Sequence, residues 1–358
     1  MGKTIPSRPT IRKLQQNVSE KNAVEGSYTI TVPQWWVKSL GMRKGAELFL
    51  AEDGFSLKFT PMKLIAEKKR AEIDVADLND VKSIRYLLWT YYMQGADELL
   101  VRSKAVIPAE FKKALREIRL DLPRIEVVSE DTHSVLLAVT LNDEDRLLDD
   151  MIREIEVIAL SVHRDAVGTL TSGSVELAKE VVGREQEILR NYRAMIRKLA
   201  VCSVNSNVAF KSGIRDSREL VTYGLVTRDL NRIVYHAIYI AKHVVEFGGK
   251  MEGRVLEKLR KMSATAYEME RLGIEAFLEK DYSKALKVLK RMKEVTGLDE
   301  SVSVDVLRNS KNARRAVFEM LVSREIRRIA GHSVGIADAA ANRILSPSNA
   351  LQVSVKRD

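Results

Sequence analysis

A multidomain α+β protein is the fold class this sequence predicts: a short β-rich head, a small α/β sandwich, and a basic six-helix bundle made of two three-helix repeats. Three observations predict it. Residues 10–63 alternate β-branched and aromatic side chains between turn residues. Residues 64–142 switch repeatedly between strand and helix patterns, and from 143 to 345 every strong pattern is helical and partly duplicated. At 358 residues, 45% hydrophobic and 30% charged, the chain has the composition of a soluble globular protein with more than one core.

In the head, "SYTITVP" from Ser27 predicts a strand, and "RKLQQN" upstream a second one. Pro33 suits the first turn of a short helix, "PQWWVKSLG", which Gly41 ends by supplying a left-handed cap. The runs "AELFLAE" and "SLKFTP" are joined through Asp53-Gly54, a favoured hairpin turn. So small a segment buries little apolar area alone, and pairing with a second copy through intertwined hairpins is the expected remedy. Trp35 and Trp36 open the helix inside an apolar pattern and are expected in that dimer core.

The middle region reads strand ("AEIDV"), helix ("DVKSIRYLLWTYYMQG"), strand ("DELLVRS"), helix ("PAEFKKALREI"), then strands "RIEVVSE" and "SVLLAVT". Beyond it, six helices are expected at roughly 144–171, 174–200, 216–247, 251–279, 281–296 and 308–345, with "TGLDES" separating the last two. In the second, Val181, Ile188 and Met195 recur every seven residues and Glu185, Tyr192 and Leu199 follow offset by four, one inward stripe. Glu185 on that stripe needs a buried partner, for which an arginine from another helix is expected. "RDLNRIVYHAIYIA" from Arg228 aligns without gaps to "REIRRIAGHSVGIA" from Arg324, pairing Arg232 with Arg328, His236 with His332 and Ile240 with Ile336.

Charge divides along the same lines. The net charge is +10, made of +5 in residues 1–63, −5 in 64–150 and +10 in 151–358. A basic head and body favour a polyanionic partner, whereas the acidic middle is a poor nucleic-acid surface. The single cysteine, Cys202, excludes an intramolecular disulfide framework and a thiolate zinc site. No apolar run reaches the roughly 18 residues that span a bilayer, so no membrane insertion is expected. "MGKTIPSRPT" has no apolar segment behind its lysine, and the expected compartment is the cytoplasm.

The two repeated helices resemble the signature helix of PhoU phosphate-signalling proteins, and the layout of 143–345 agrees. "GSYTITVPQWWVKSLGMRKGAELFL" resembles the SpoVT/AbrB swapped-hairpin DNA-binding domain. Together they are similar to archaeal-type PhoU-related regulators with an N-terminal AbrB-like domain. The resemblance implies an AbrB-like module at 10–63, a small α/β domain at 64–142 and a PhoU-like bundle at 143–345. It also implies DNA contacts. Arg12 matches the family's first-strand arginine, with Lys13 beside it, and Lys38 matches one helix arginine. Two other cationic positions fall on Ser27 and Val37, with Lys21, Arg43 and Lys44 as nearby substitutes. Groove binding needs such cations at phosphates and a few donors for base edges.

The PhoU resemblance brings a metal question. The family's paired acidic positions fall here on Asn231 and Tyr235, and on Arg327 and Gly331, while Glu185 faces Leu189. An arginine in a ligand position repels a cation, so neither a metal nor another cofactor is expected. His236 lies on the stripe of Ile233 and Ile240 and is expected to be a hydrogen-bonded core histidine. No nucleophile–histidine–acid motif, phosphate-binding glycine loop or HExxH helix occurs, which disfavours an enzyme. The first expectation is a DNA-binding homodimeric regulator of phosphate response. The alternative is a PhoU-type adaptor acting on a phosphate transporter or sensor kinase without DNA. Effector binding in the α/β region is a third.

Overall fold

The computed structural model describes residues 11–17, 27–78, 80–140, 145–248, 250–310 and 312–345. The chain divides into two compact units, the first of Met1–Phe49 and Phe59–Ala66, the second of Leu50–Lys58 and Glu67–Asp358.

In the first unit, β1 (Gln15–Asn17) pairs antiparallel with β2 (Ser27–Thr29), placing Gln15 opposite Thr29. Helix α1 (Gln34–Ser39) begins after Pro33 as expected and ends where Gly41 takes φ +61°. β3 (Leu48–Asp53) and β4 (Ser56–Pro61) form a separate hairpin, turned by Gly54 at φ +60°. The short α2 (Met62–Ala66) follows. The turn of that hairpin belongs to the second unit: the Gly54 amide donates to the Arg215 carbonyl at 3.2 Å, and the Ser217 amide donates to the Asp53 carboxylate.

The second unit starts with β5 (Arg70–Asp74), α3 (Val81–Met93), β6 (Glu98–Arg102), α4 (Ala109–Glu117), β7 (Ile125–Glu130) and β8 (Ser134–Val139). The sheet order is β5-β6-β8-β7, with β5 parallel to β6 and the other pairs antiparallel. Alternation decides the inner face. Leu99 and Val101 on β6 and Val135 and Leu137 on β8 are buried in one core with Ile84 and Leu88 of α3 and Phe111 and Leu115 of α4.

The helical region comprises α5 (Leu148–Ser172), α6 (Val175–Gly183), α7 (Glu185–Val204), α8 (Ser206–Lys211), α9 (Glu219–Phe247), α10 (Gly253–Glu279), α11 (Tyr282–Asn309) and α12 (Ala313–Ile344). Two sequence expectations are corrected here. The helix expected at 174–200 is two helices that meet at Gly183 and Arg184. The expected break at "TGLDES" does not occur, because α11 runs through it to Asn309. One glycine costs a helix only about 1 kcal/mol relative to alanine, and α11 recovers more by burying Val295, Val302 and Val306.

The bundle core is built on α5, α9, α10 and α12. α9 packs most extensively on α12, and α10 on both α11 and α12. Ile233, Ile240, Ile329 and Ile336, the repeated isoleucines of the two signature segments, are all fully buried. No helix among the described residues is long and apolar enough to cross a membrane.

Candidate functional site

The signature helices meet through their polar residues. Asp229 and His236 on α9 correspond in the repeat to Glu325 and His332 on α12, and in space each acid pairs with the other copy's histidine. His236 Nδ1 donates to Glu325 at 2.6 Å, and His332 Nδ1 donates to Asp229 at 3.1 Å. Because the lower number on one helix meets the higher on the other, α9 and α12 run antiparallel. The two imidazoles stack at 5.4 Å between centroids, 17° from parallel. Asp229 and Glu325 are 3% exposed, and each also meets the arginine before it, Arg228 and Arg324. Burial works to raise Glu325, but the bond from His236 and the charges of Arg324 and Arg328 outweigh it and hold the carboxyl below its usual range. Gly335 is a packing requirement here, since a Cβ in its place would overlap the Asp229 carboxylate.

This arrangement explains His236 as a satisfied core histidine. The positions that the resemblance marks for metal are engaged otherwise. Arg327 is paired to Asp299 at 2.8 Å, and Tyr235 lies against Tyr239 at 4.5 Å. Among the described residues no group of three or more His, Cys, Asp or Glu side chains is placed to hold a metal ion. Arg228 pairs with its neighbour Asp229. Arg232 lies over the Tyr235 ring, 5.7 Å from its centroid.

A second polar cluster lies between α5 and α10. Ser263 Oγ donates to His163 Nε2 at 3.1 Å, and His163 Nδ1 donates to Glu270 Oε2 at 3.2 Å. That connectivity is the one used to activate a serine. Here it is sealed: His163 and Glu270 have no exposure, and burial pushes the Glu270 carboxyl up, with its Oε1 lacking a hydrogen-bond partner among the described residues. With His163 and Glu270 fully enclosed and Ser263 buried, no substrate can reach the hydroxyl. On the same helix Glu156, half-buried near Glu270 and Glu275, is pushed up to about 7 by burial and by those charges. The spacing of seven between Glu156 and His163, and between Ser263 and Glu270, was the sequence signal for this cluster: polar side chains placed on apolar stripes.

A third set ties α7 to the α/β region. Arg193 lies over the Trp89 ring at 4.0 Å and donates to the Asp121 carbonyl. Arg197 donates to the carbonyls of Tyr92 and Ala96 and pairs with Asp97 at 2.9 Å. The Asp121 carboxylate accepts from Arg85, Trp89 and Gln186. Glu185 is corrected: its partner is Lys242 at 2.9 Å, and the pair is half-exposed instead of inward, because the helix break at Arg184 turns Glu185 off the buried stripe.

The cations expected at DNA all lie in the first unit and are exposed. Arg12 and Lys13 precede β1. Lys38 is in the last turn of α1, and Arg43 and Lys44 follow in the turn closed by the Ala46 amide on the Arg43 carbonyl. Lys38, Arg43 and Lys44 therefore share one helix–turn segment. None of the five forms an ion pair among the described residues. Lys21 lies outside the described residues. Trp35 is 37% exposed and Trp36 is half-buried in the single chain.

Comparison with known proteins addresses the helical region. The PhoU domain family matches residues 152–244 and again 259–340. The phosphate-specific transport system accessory protein PhoU homolog of Borreliella burgdorferi is 22% identical over 203 residues, spanning 54% of this chain and 89% of that protein. Among solved structures, PhoU from Pseudomonas aeruginosa is 18% identical, covering 55% of this chain and 94% of its own with a TM-score of 0.49. The phosphate transport system regulatory protein PhoU from Streptococcus pneumoniae is 17% identical, covering 55% and 92% with a TM-score of 0.48.

Proposed function

We propose that this protein is a regulatory adaptor of phosphate transport that acts by docking on another protein through a PhoU-like helical region. The observation that carries this reading is the double match of the PhoU domain family to residues 152–244 and 259–340. The interior of the bundle supports it. His236 and His332 are each bonded to an acid of the other repeat, and His163 is enclosed between Ser263 and Glu270, so these groups are turned inward and the bundle offers its surfaces to a partner. The partner is a phosphate-transport or sensor protein, and the compartment is the cytoplasm. This reverses the order in which the sequence alone ranks the two readings.

The test is affinity capture of the full chain from cells grown with high and with low phosphate. Retention of a phosphate-transport or sensor subunit, varying with phosphate, is the expected result. Capture of nucleic acid with no such protein sinks the adaptor reading.

DNA binding by the first unit is the second reading, favoured by the five exposed cations that form no ion pair among the described residues. An AbrB-like module would then bind as a swapped-hairpin dimer, mostly through phosphates. Affinity for promoter DNA would fall steeply with salt, and Arg12→Ala with Lys38→Ala would lower both affinity and salt slope. Unchanged affinity and slope in that double variant would remove this reading.

A further inference from the structure

α11 carries two apolar stripes, and the bundle uses one. Ala285, Val288, Val295, Val302 and Val306 are buried against neighbouring helices. Leu286, Leu289, Val304 and Leu307 are exposed, the last by 84%, and Lys293, Gly297 and Glu300 are exposed between them. Steps of three, four and seven return to nearly the same bearing on a helix, so these residues share one outer face. Both flanks of α11 are engaged inside the chain. Lys284 meets Glu275, Arg291 meets Glu268 and Asp305 meets Lys258 on the α10 side, while Asp299 meets Arg327 on the α12 side. Lys293 and Glu300 form no ion pair among the described residues.

The outer stripe is palindromic. Leu286, Leu289, Lys293, Glu300, Val304 and Leu307 follow one another at intervals of three, four, seven, four and three. A two-fold axis passing between Thr296 and Gly297 therefore sets an antiparallel second copy in full register. Leu286 of one copy then meets Leu307 of the other, Leu289 meets Val304, and Lys293 meets Glu300, each contact occurring twice.

Gly297 is the independent observation. Glycine weakens a helix interior, and a Cβ here would meet nothing within 4 Å in its own chain, so no packing inside the chain calls for it. At the axis of a helix pair, a missing side chain lets two backbones approach closely.

We propose that the outer face of α11 is a self-association surface, on which two copies of this chain pack antiparallel about a two-fold axis at Thr296 and Gly297. The occupant is a second copy because the face is complementary in charge and in apolar spacing to itself. The paired stripe is roughly 30 Å long at the rise of an α-helix. One such seam falls below the ~1,000 Å² of a tight interface, so the association is weak and concentration-dependent. It does not rest on the function proposed above.

Sedimentation equilibrium of the full chain over a range of concentrations tests the surface. Lys293→Glu and Glu300→Lys, each of which sets like charges opposite one another, should weaken self-association at least about fivefold. Combining the two substitutions should restore it. If the first unit also pairs chains, the same variants move the dimer-to-tetramer step. Under mild oxidation Gly297→Cys should give a disulfide-linked dimer and Lys287→Cys should not, the native Cys202 being buried. Self-association unchanged by either charge reversal, or no cross-link through Gly297→Cys, would overturn the proposal.

Discussion

In the first unit Ile11, Leu14, Tyr28, Ile30 and Trp35 are exposed, whereas in the bundle Ile233, Phe277, Ile329 and Ile336 have no exposure at all. Both regions carry enough apolar residues to form a core, and only one closes it. The difference is one of size and geometry. Long helices wrapped on several sides by other helices remove whole side chains from water, whereas two short hairpins and one six-residue helix have too little surface to cover themselves. The lesson is that the bundle is a finished structure on its own and the β module is one that needs another surface.

The largest expected effect probes that contrast directly. Phe277→Ala should lower the unfolding free energy of the bundle by about 3–5 kcal/mol, since it empties a fully enclosed site. Tyr28→Ala should change the stability of the dilute chain by less than about 0.5 kcal/mol. Urea unfolding followed at two protein concentrations checks both. A cost for Tyr28→Ala that appears only at the higher concentration would show that a second copy covers the β module. A large cost at both would mean that the module closes its core within one chain.

Next in size is the seam between α7 and the α/β region, which is held by buried cations where the bundle interior is held by apolar packing. Arg197→Met takes the cation from beside Asp97 and removes the guanidinium bonds to the Tyr92 and Ala96 carbonyls, and should cost about 3 kcal/mol. Hydrogen exchange should rise first in β6, which begins beside Asp97. Uniform protection in that strand would mean the seam contributes little.

The smallest effect separates the two polar clusters by pH. Glu156, raised to about 7, and Glu270, also raised, bind protons more tightly folded than unfolded. Both contributions are complete below the ordinary glutamate range; that of Glu156 is lost as pH rises toward 7, and that of Glu270 as pH rises through its raised value. Glu325 is shifted the other way, so its contribution is present above the ordinary range and lost as pH falls below it. Thermal melts should therefore decline for the native chain between about pH 4.5 and 7, and Glu156→Gln should flatten that decline. An equal decline in the variant would assign it to other groups.

Much of the bundle was legible because its signal is local. The stripe through Ile233, His236 and Ile240 placed those residues inward, and the ungapped repeat from Arg228 to Arg324 announced two equivalent helices. The strands and helices of the α/β region were readable for the same reason, as periods of two and of 3.6. What misled was punctuation. "TGLDES" has the residues of a loop, yet valines on either side carry α11 through it, while Gly183 and Arg184 break a helix whose heptad pattern looked continuous. The candidate DNA cations were found by resemblance, and their exposure is all that one chain adds.

The sequence by itself determined which residues face inward along each helix and strand, because that depends only on spacing within the element. It also determined that two helices would be equivalent. Only the tertiary structure decided partnership. That His236 bonds Glu325, that His163 lies between Ser263 and Glu270, and that Glu185 meets Lys242 and not an arginine follow from how helices cross. These partners lie many residues apart, and a period along the chain carries no information about which helix will pack against it.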